Sequence, residues 1–290
     1  MSSPSFQSVP LQDVRDYWNR RPCNVRHSPK PVGSRAYFDE VEARKYLVEP
    51  HIPSFAQFER WAGKRVLEIG CGIGTDTISF ARAGAAVTAV DLSEQSLDLA
   101  RRRAAVYGLE DRIRFVQADA EQLADALPAE PYDLVYTFGV IHHTPHPGRI
   151  LDQARQCMRP GSELKVMVYH RRAWKVLQIL FTQERWRIGD IERIVAQHSE
   201  AQTGCPITHI YTRAGGRRFL EDHGFAVSDL SVEHIFSYAI KPYKQYRYVR
   251  QWPWRVTPAP IFRRLEHRFG WHLCMTAKLG NDEGTKGPSG

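Results

Sequence analysis

The chain has 290 residues, of which 42% are hydrophobic and 25% are charged, and its formal net charge is +8. It has five scattered cysteines, no apolar signal region and no apolar stretch of membrane-spanning length, so we expect a cytoplasmic protein with reduced thiols, not a secreted or transmembrane one. No linker rich in Pro, Gly and Ser divides the sequence, which predicts one domain with additions.

The first predicted element is an N-terminal helical cap segment over about residues 11–61, preceded by a disordered start at residues 1–10. Within it, the sequence RDYWNRR places Tyr17 and Trp18 side by side. Two interpretations of these rings stay open. They cover a positively charged ligand, since cations are attracted to aromatic faces, or they pack a helix onto the sheet.

The most informative stretch is residues 66–91, VLEIGCGIGTDTISFARAGAAVTAVD. It predicts an apolar strand, a glycine-rich turn, an amphipathic helix and a second strand that ends in a carboxylate. Gly70, Gly72 and Gly74 let the backbone approach a ligand where a Cβ atom would collide. Asp91 stands at the separation at which a carboxylate accepts ribose hydroxyl groups. This order predicts an adenosine cofactor.

The following elements continue the alternation of helix and strand. Ser93 is the predicted N-cap of a helix that runs to Tyr107 and stops at Gly108. An apolar strand then ends at Asp119, which either contacts the ligand or only caps a helix. A buried strand from Tyr132 leads into the loop FGVIHHTPHP, and the Pro-Gly turn of CMRPGSELKVMVY leads into a fifth strand.

The motif E-x-G-x-G-x-G that begins at Glu68 resembles motif I of the class I S-adenosylmethionine (SAM) methyltransferases, and the five elements over about residues 65–169 follow that family's order. A dinucleotide site has G-x-G-x-x-G instead. The resemblance implies SAM as the cofactor and a Rossmann-like, doubly wound α/β sheet of seven strands, mostly parallel with the last strand antiparallel. It also implies cofactor contacts from Glu68, Gly70, Cys71, Gly72, Gly74, Asp91, Leu92, Asp119, Ala120 and Phe138. Tyr17 of the cap segment is a further candidate, because a positively charged sulfonium is attracted to an aromatic face.

After Tyr169 the alternation is interrupted and then resumes. A helix from Thr212, a strand from Phe225 and a last strand from Trp271 complete the predicted seven strands. We therefore place the methyltransferase domain at residues 62–280, with insertions at about residues 171–211 and 240–270. Residues 281–290 are expected to be disordered.

The loop with two histidines and the strand ends supply candidates for catalysis. Methyl transfer is an in-line displacement, so alignment and exclusion of water matter most and a base is optional. Where an acceptor proton must leave, an imidazole suits the task near neutral pH. His143 and His142 are the candidate bases, with a role in shaping the loop as the alternative. The candidate acceptor contacts are Trp18, Tyr169, His170 and Tyr211.

The excess positive charge lies almost entirely in the second insertion. Between Lys241 and Gly270 there are eight Lys or Arg residues and one carboxylate, interleaved with Tyr and Trp. Three interpretations stay open: a solvated basic face whose aromatic rings pack inward, a lid over an anionic small acceptor, or a surface for nucleic acid or lipid.

The sequence is similar to the broad group of ubiquinone, menaquinone and natural-product methyltransferases, which implies a small-molecule acceptor, possibly an anionic one. Nucleic acid is the less favoured partner, because Phe138-Gly139-Val140 stands where DNA and RNA amino-methylating enzymes carry Asn/Asp-Pro-Pro-aromatic. The alternatives are a macromolecular methyltransferase that docks through the basic insertion and a non-catalytic SAM-binding module. No metal site is predicted, since His142, His143 and His146 do not have zinc-ligand spacing. The oligomeric state and the acceptor atom stay open.

Overall fold

A computed structural model describes residues 6–127, 131–182, 191–202 and 204–280. Over these residues the strands form one sheet in the order β3-β2-β1-β4-β5-β8-β7, and β6 pairs with β5 beside that path. The strands are β1 Arg65–Ile69, β2 Ala86–Asp91, β3 Ile113–Gln117, β4 Tyr132–Phe138, β5 Met158–His170, β6 Ile210–Tyr211, β7 Phe225–Glu233 and β8 His272–Leu279. The predicted disorder of residues 1–5 and 281–290 falls outside the described residues.

The strand directions confirm the predicted doubly wound sheet. Strands β1 to β5 pair in parallel, and β8 runs antiparallel to both β5 and β7. The sheet has eight strands where seven are predicted. The additional strand, β6, consists of Ile210 and Tyr211 paired with Tyr169 and His170. Two residues are too few to display a strand periodicity, so the sequence pattern does not reveal β6.

Helices cover the sheet and extend from it. They are α1 Leu11–Arg20, α2 Arg35–Val48, α3 His51–Ala56, α4 Thr75–Arg82, α5 Glu94–Tyr107, α6 Pro147–Gln156, α7 Trp174–Thr182, α8 Ile191–Gln202, α9 Arg213–Glu221, α10 Ile240–Lys244, α11 Trp252–Val256 and α12 Ala259–Phe269. The predicted ends of α5 are confirmed. Oγ of Ser93 accepts the Ser96 N–H at 3.1 Å, and Gly108 ends the helix with φ +65°.

Alternate residues of β1 enter the core on the two faces of the sheet. Leu67 and Ile69 pack into one hydrophobic cluster and Val66 packs into another. Burial on both faces explains why the parallel strands are continuous apolar runs. The packed sheet fixes the loops at the carboxyl ends of its strands, where ligands bind in this architecture.

The N-terminal segment is helical and packs onto the rest of the chain. Val14 of α1 shares an apolar cluster with Ala196 and Ile207 from the first insertion. Phe6 joins the same cluster and meets the ring of His209 edge to face, with 5.1 Å between ring centroids. The expectation of disorder is therefore wrong for residues 6–10, because burial of the Phe6 side chain anchors them.

Candidate active site

A cavity of about 280 Å³ lies at the carboxyl ends of β1, β2 and β4. Two sets of residues line it. The first, the glycine wall, comes from one continuous stretch of the fold and consists of Glu68, Gly70, Cys71, Gly72, Asp91, Leu92, Asp119 and Ala120. The second, the histidine wall, comes from remote parts of the chain and consists of Trp18, Lys45, Glu49, Phe138, His143, Tyr169 and His272.

The glycine wall needs glycine for two different reasons. Gly70 has φ +76°, and a Cβ atom there would stand 2.2 Å from Cγ2 of Val140, so no side chain fits. Gly72 has φ +55° and no atom within 4 Å of an added Cβ, which leaves its backbone open to the cavity. The turn thus offers backbone atoms to a ligand at a short approach.

Asp91 is held in place by the turn that it faces. Its Oδ2 accepts the N–H of Gly72 and its Oδ1 accepts the N–H of Ser93, each at 2.8 Å. Burial raises the pKa of Asp91, and the two backbone N–H groups oppose that shift. A carboxylate oriented this way at the end of β2 can accept hydrogen bonds from ligand hydroxyl groups.

Asp119 caps a turn and also borders the cavity, so its contact with a ligand stays a prediction. Its Oδ1 accepts the N–H of Glu121 at 2.8 Å, so it caps the 3₁₀ turn Ala120–Asp125. It also lines the cavity together with Ala120.

His143 stands in the histidine wall with a defined orientation. Its Nδ1 lies 2.7 Å from the carbonyl oxygen of Ile207, so Nδ1 carries the proton and Nε2 is the basic nitrogen. Its ring lies 5.4 Å from the ring of Trp18 and 5.5 Å from that of Tyr169, measured between centroids. These contacts fix the imidazole against the cavity.

His142 lies behind its neighbour and does not line the cavity. Its ring contacts those of His143 and Tyr169, with centroids 4.1 and 4.0 Å away. Neither ring nitrogen has a hydrogen-bond partner among the described residues. Burial lowers the pKa of His142 well below its usual value, so the ring is neutral and packs as an aromatic group.

Four further predicted site residues stand outside the cavity lining. Gly74 begins α4 with φ +76°, and a Cβ there would meet that of Ala100 at 3.1 Å, so this glycine serves the close packing of α4 on α5. The other three are engaged in contacts with the surrounding chain. Tyr17 donates its hydroxyl to the carbonyl of Gly204 at 2.6 Å, His170 Nδ1 lies 3.2 Å from the carbonyl of Gly270, and Tyr211 stacks on Phe219.

The sequence reasoning missed a charged group beside the glycine wall. Lys45 of α2 forms an ion pair with the buried Asp76 at 2.7 Å, and the hydroxyls of Tyr46 and Tyr136 donate to the same carboxylate. Burial and the neighbouring Asp76 raise the pKa of Glu68 to about 8. No local sequence pattern reveals the group of Lys45, Tyr46, Asp76 and Tyr136, because these residues come from three separate elements, α2, α4 and β4.

A second missed group surrounds His272. His51 Nε2 lies 3.0 Å from Nδ1 of His272, and the ring of His234 lies 4.7 Å from that of His272. Burial lowers the pKa of His51 to about 4 and that of His234 to about 3. The sequence signal available for this group is His272 itself, at the start of the predicted last strand.

The aromatic residues of the basic insertion divide into two groups. The side chain of Arg44, buried in α2, packs over the rings of Tyr243, Tyr246 and Tyr248, at 4.0 to 5.7 Å from their centroids. Trp252 instead remains 73% exposed. Tyr243 therefore fits the interpretation of inward packing, Tyr246 and Tyr248 fit it only in part because they are 36% and 38% exposed, and Trp252 does not fit it.

Among the described residues, no helix combines the length and the apolar character needed to cross a membrane. The predicted cytoplasmic location stays a prediction.

The strand order, the glycine turn, the carboxylate that ends β2 and the cavity between them are those of the class I SAM-dependent methyltransferase fold. Residues 66–161 match the family model described as a methyltransferase domain. The chain carries this domain, as the motif at Glu68 predicts.

Among curated proteins, the chain is 34% identical over 122 residues to a ubiquinone biosynthesis O-methyltransferase of Aeromonas salmonicida (strain A449). That match covers 42% of this chain and 50% of the relative. The chain spans about half the length of the curated relatives it matches.

Solved structures share the fold over nearly the whole chain. The magnesium protoporphyrin IX methyltransferase of Synechocystis PCC 6803, with bound SAH, has a TM-score of 0.57 at 18% identity and covers 94% of this chain and 100% of its own. The cyclase SpnF has a TM-score of 0.56 at 18% identity and covers 97% of this chain and 98% of its own. At this level of identity the likeness concerns the fold.

Proposed function

We propose that this protein is a SAM-dependent methyltransferase that acts on a small-molecule acceptor. The observation that carries the proposal is the single cavity that joins the glycine wall to the histidine wall. One wall offers backbone atoms and a fixed carboxylate, which suit an adenosine group. The other offers aromatic faces and an imidazole, which suit an acceptor and its proton.

The residues of the glycine wall fit the cofactor. Gly70, Cys71 and Gly72 bring the backbone to it, Asp91 and Leu92 receive the ribose, and Asp119 and Ala120 border the adenine. When bound, SAM supplies an electrophilic methyl group and leaves as S-adenosylhomocysteine. The remaining task of the chain is to align the acceptor and to exclude water.

His143 is the proposed general base. Its protonated Nδ1 faces the Ile207 carbonyl, so Nε2 takes the proton that the acceptor loses. Trp18 and Tyr169 hold the imidazole and border the acceptor, while His142 stabilises Tyr169 from behind. Tyr17 supports Trp18, with 5.0 Å between their rings, and His170 and Tyr211 support the end of β5.

The names of the curated relatives support a hydroxyl group as the acceptor. The cavity lining does not favour an anionic acceptor, because Lys45 is paired with Asp76 and the carboxylates Glu49, Asp91 and Asp119 line the same cavity. The proposal is therefore O-methylation of a small molecule, without a negative charge as a requirement.

The test is transfer of labelled methyl from SAM in a cell extract that is then separated into metabolite, lipid, protein and nucleic-acid fractions. We expect label in the metabolite or lipid fraction with the natural protein and none with Asp91→Ala. Mass spectrometry of the labelled compound then identifies the acceptor atom. Label in neither fraction, with SAM bound, contradicts the proposal.

A second candidate function is methylation of a macromolecule that docks on the basic insertion. The exposed Trp252, with Val256 and Ile261 exposed by 65% and 53%, favours it because bases and apolar side chains both contact such residues. Replacing Lys244, Arg247 and Arg250 together by Gln tests it. Unchanged RNA binding at low salt and unchanged labelling of protein and nucleic acid exclude this candidate.

A third candidate is a module that binds SAM without transferring its methyl group. The cyclase SpnF has the same fold, and its name denotes a reaction other than methyl transfer. The fold alone therefore does not decide whether this chain transfers a methyl group. Formation of S-adenosylhomocysteine in a single turnover, measured with the fractionated extract as acceptor source, removes this candidate.

A further inference from the structure

Three side chains of metal-ligand type meet beside the cavity. Glu49 follows α2, His234 follows β7 and His272 begins β8, and one donor atom of each lies within 4.8 Å of the others. Nε2 of His272 lies 3.6 Å from Oε1 of Glu49. Glu49 and His272 both line the cavity, so the group borders the space available to an acceptor.

The imidazole of His272 is oriented from behind in the manner of a metal ligand. Nδ1 of His272 lies 3.0 Å from Nε2 of His51, which leaves Nε2 of His272 facing Glu49. The ring of His234 lies beside the backbone of Val48 and 4.7 Å from the ring of His272, between centroids. Histidines that bind metal characteristically use their second nitrogen in this way, because the second bond fixes the tautomer and the ring direction.

The backbone at His234 indicates that its position is required. His234 has φ +70°, a left-handed conformation that is unfavourable for a non-glycine residue. The N–H of Trp271 donates to the His234 carbonyl at 2.8 Å and holds this conformation. The unfavourable backbone turns the imidazole of the residue after β7 toward that of His272.

We propose that Glu49, His234 and His272 bind one divalent transition-metal ion, with Zn²⁺ as the probe, and leave its remaining coordination positions open to the cavity. Two imidazoles and one carboxylate form a donor set that binds Zn²⁺ or Fe²⁺ with open positions. Tetrahedral metal bonds of about 2.0–2.2 Å place donor atoms about 3.3–3.6 Å apart. The three donor atoms lie within 4.8 Å of one another, so binding draws them together by at most about 1.5 Å.

The site narrows the acceptor class, in a step that rests on the proposed function. A hydroxyl that coordinates the ion loses its proton to His143 or water at a lower pKa. Its lone pair then forms the bond to the methyl carbon, while the electron pair of the broken carbon–sulfur bond stays on the departing sulfur. The acceptors selected are those with a second oxygen beside the methylated group, since such a pair chelates the ion.

Metal binding is tested without methyl donor or acceptor. The full chain is freed of metal by a chelator and titrated with Zn²⁺ by calorimetry and with Co²⁺ by its visible absorption. We expect one equivalent to bind, and affinity to fall at least 100-fold in His272→Gln, Glu49→Gln and His234→Asn. Asn suits the left-handed backbone, so the last variant removes the imidazole without adding strain.

The matched control is His223→Gln, which removes a histidine paired with Asp152 at 2.8 Å, away from the cavity. It leaves the affinity unchanged. His51 is a positioning residue: His51→Ala weakens Zn²⁺ binding about 10- to 100-fold, and His51→Gln restores part of the loss because the amide oxygen accepts from Nδ1 of His272. A thermal unfolding curve for each variant shows that it is folded.

The outcomes separate the metal site, its role in acceptor activation and the proposed function. Absence of Zn²⁺ and Co²⁺ binding, or binding that survives in both His234→Asn and His272→Gln, overturns the site. If the chain binds one equivalent of metal but does not consume SAM, the metal site is supported and the proposed function is overturned. Equal methyl-transfer rates with and without bound metal overturn the role in acceptor activation alone.

Discussion

The glycine wall and the histidine wall border the same cavity but are constructed in opposite ways. The glycine wall is made of backbone atoms and three carboxyl groups, those of Glu68, Asp91 and Asp119, from consecutive βα turns within residues 68–120. The histidine wall is made of side chains from α1, α2 and the residue after it, the end of β4 and the loop that follows, the end of β5, and the start of β8. The first wall depends on local turn geometry, and the second depends on how distant segments pack.

This difference explains the chemistry of each wall. Backbone N–H groups and a fixed carboxylate recognise a constant group such as adenosine, and their positions follow from the sheet. Side chains on added segments can change without disturbing the sheet, so they suit the acceptor, which varies between enzymes of one fold. We expect perturbations to separate the two walls.

The largest expected effect is a fall in the unfolding free energy at acid pH, caused by buried histidines in the segments that cover the histidine wall. Burial lowers the pKa of His27 to about 3 and that of His209 to about 4. Both values lie below the unfolded value near 6.5, so the full stability is present above pH 6.5 and is lost as pH falls toward the folded values. The two groups together lower the unfolding free energy by about 3 kcal/mol per pH unit.

Urea unfolding at several pH values between 7 and 5 measures this slope. His27→Gln removes one of the titrating groups, so its slope is smaller than that of the natural protein by about 1.4 kcal/mol per pH unit. Equal stability of the natural protein at both ends of the range contradicts the prediction.

On the glycine wall, Asp91→Ala abolishes SAM binding. The change removes acceptors for two ribose hydroxyls as well as the bonds from Gly72 and Ser93. Hydrogen bonds to a charged group contribute about 1.5–3 kcal/mol each, so we expect at least a 100-fold increase in Kd, about 3 kcal/mol. Calorimetry measures the affinity, and circular dichroism checks that the chain stays folded. An unchanged affinity rules out the cofactor assignment.

Two glycines of the same turn respond differently to alanine. Gly70→Ala places a Cβ 2.2 Å from Val140 and keeps φ +76°, so it lowers the unfolding free energy by about 3 kcal/mol. Gly72→Ala meets nothing within 4 Å and loses only about 1 kcal/mol through its backbone conformation. Its methyl group instead occupies the cavity and weakens SAM binding. Equal losses of stability in urea unfolding would show that the Val140 contact does not matter.

The smallest effects distinguish the neighbours Tyr17 and Trp18. Tyr17→Phe removes the hydroxyl bond to Gly204, lowers stability by about 1 kcal/mol and leaves kcat/KM unchanged. Trp18→Leu removes an aromatic contact with His143 at the cavity and lowers kcat/KM about tenfold, equivalent to about 1.4 kcal/mol. Steady-state kinetics and unfolding curves of both variants check the pair. A larger kinetic effect from Tyr17→Phe reverses the assignment.

Sequence patterns predict much of the fold and, of the cavity, the glycine wall. The strand before Gly70, the helix between Ser93 and Gly108 and the carboxylate at Asp91 are each marked by local chemistry that the structure reproduces. The two-residue β6 and the packed residues 6–10 have no such pattern. Tyr17 and His170 were predicted as site residues but contact the surrounding chain, whereas the adjacent Trp18 and Tyr169 line the cavity. The sequence alone does not tell which of two adjacent side chains faces the cavity.

The sequence by itself determined the glycine wall, because a tight turn with positive φ angles restricts which residues fit within a few positions of one another. It also determined the class of domain. Only the tertiary structure brought Glu49, His234 and His272 together, because their separation along the chain carries no periodicity. Distant side chains meet through the packing of whole elements, and that packing decides what the second wall can bind.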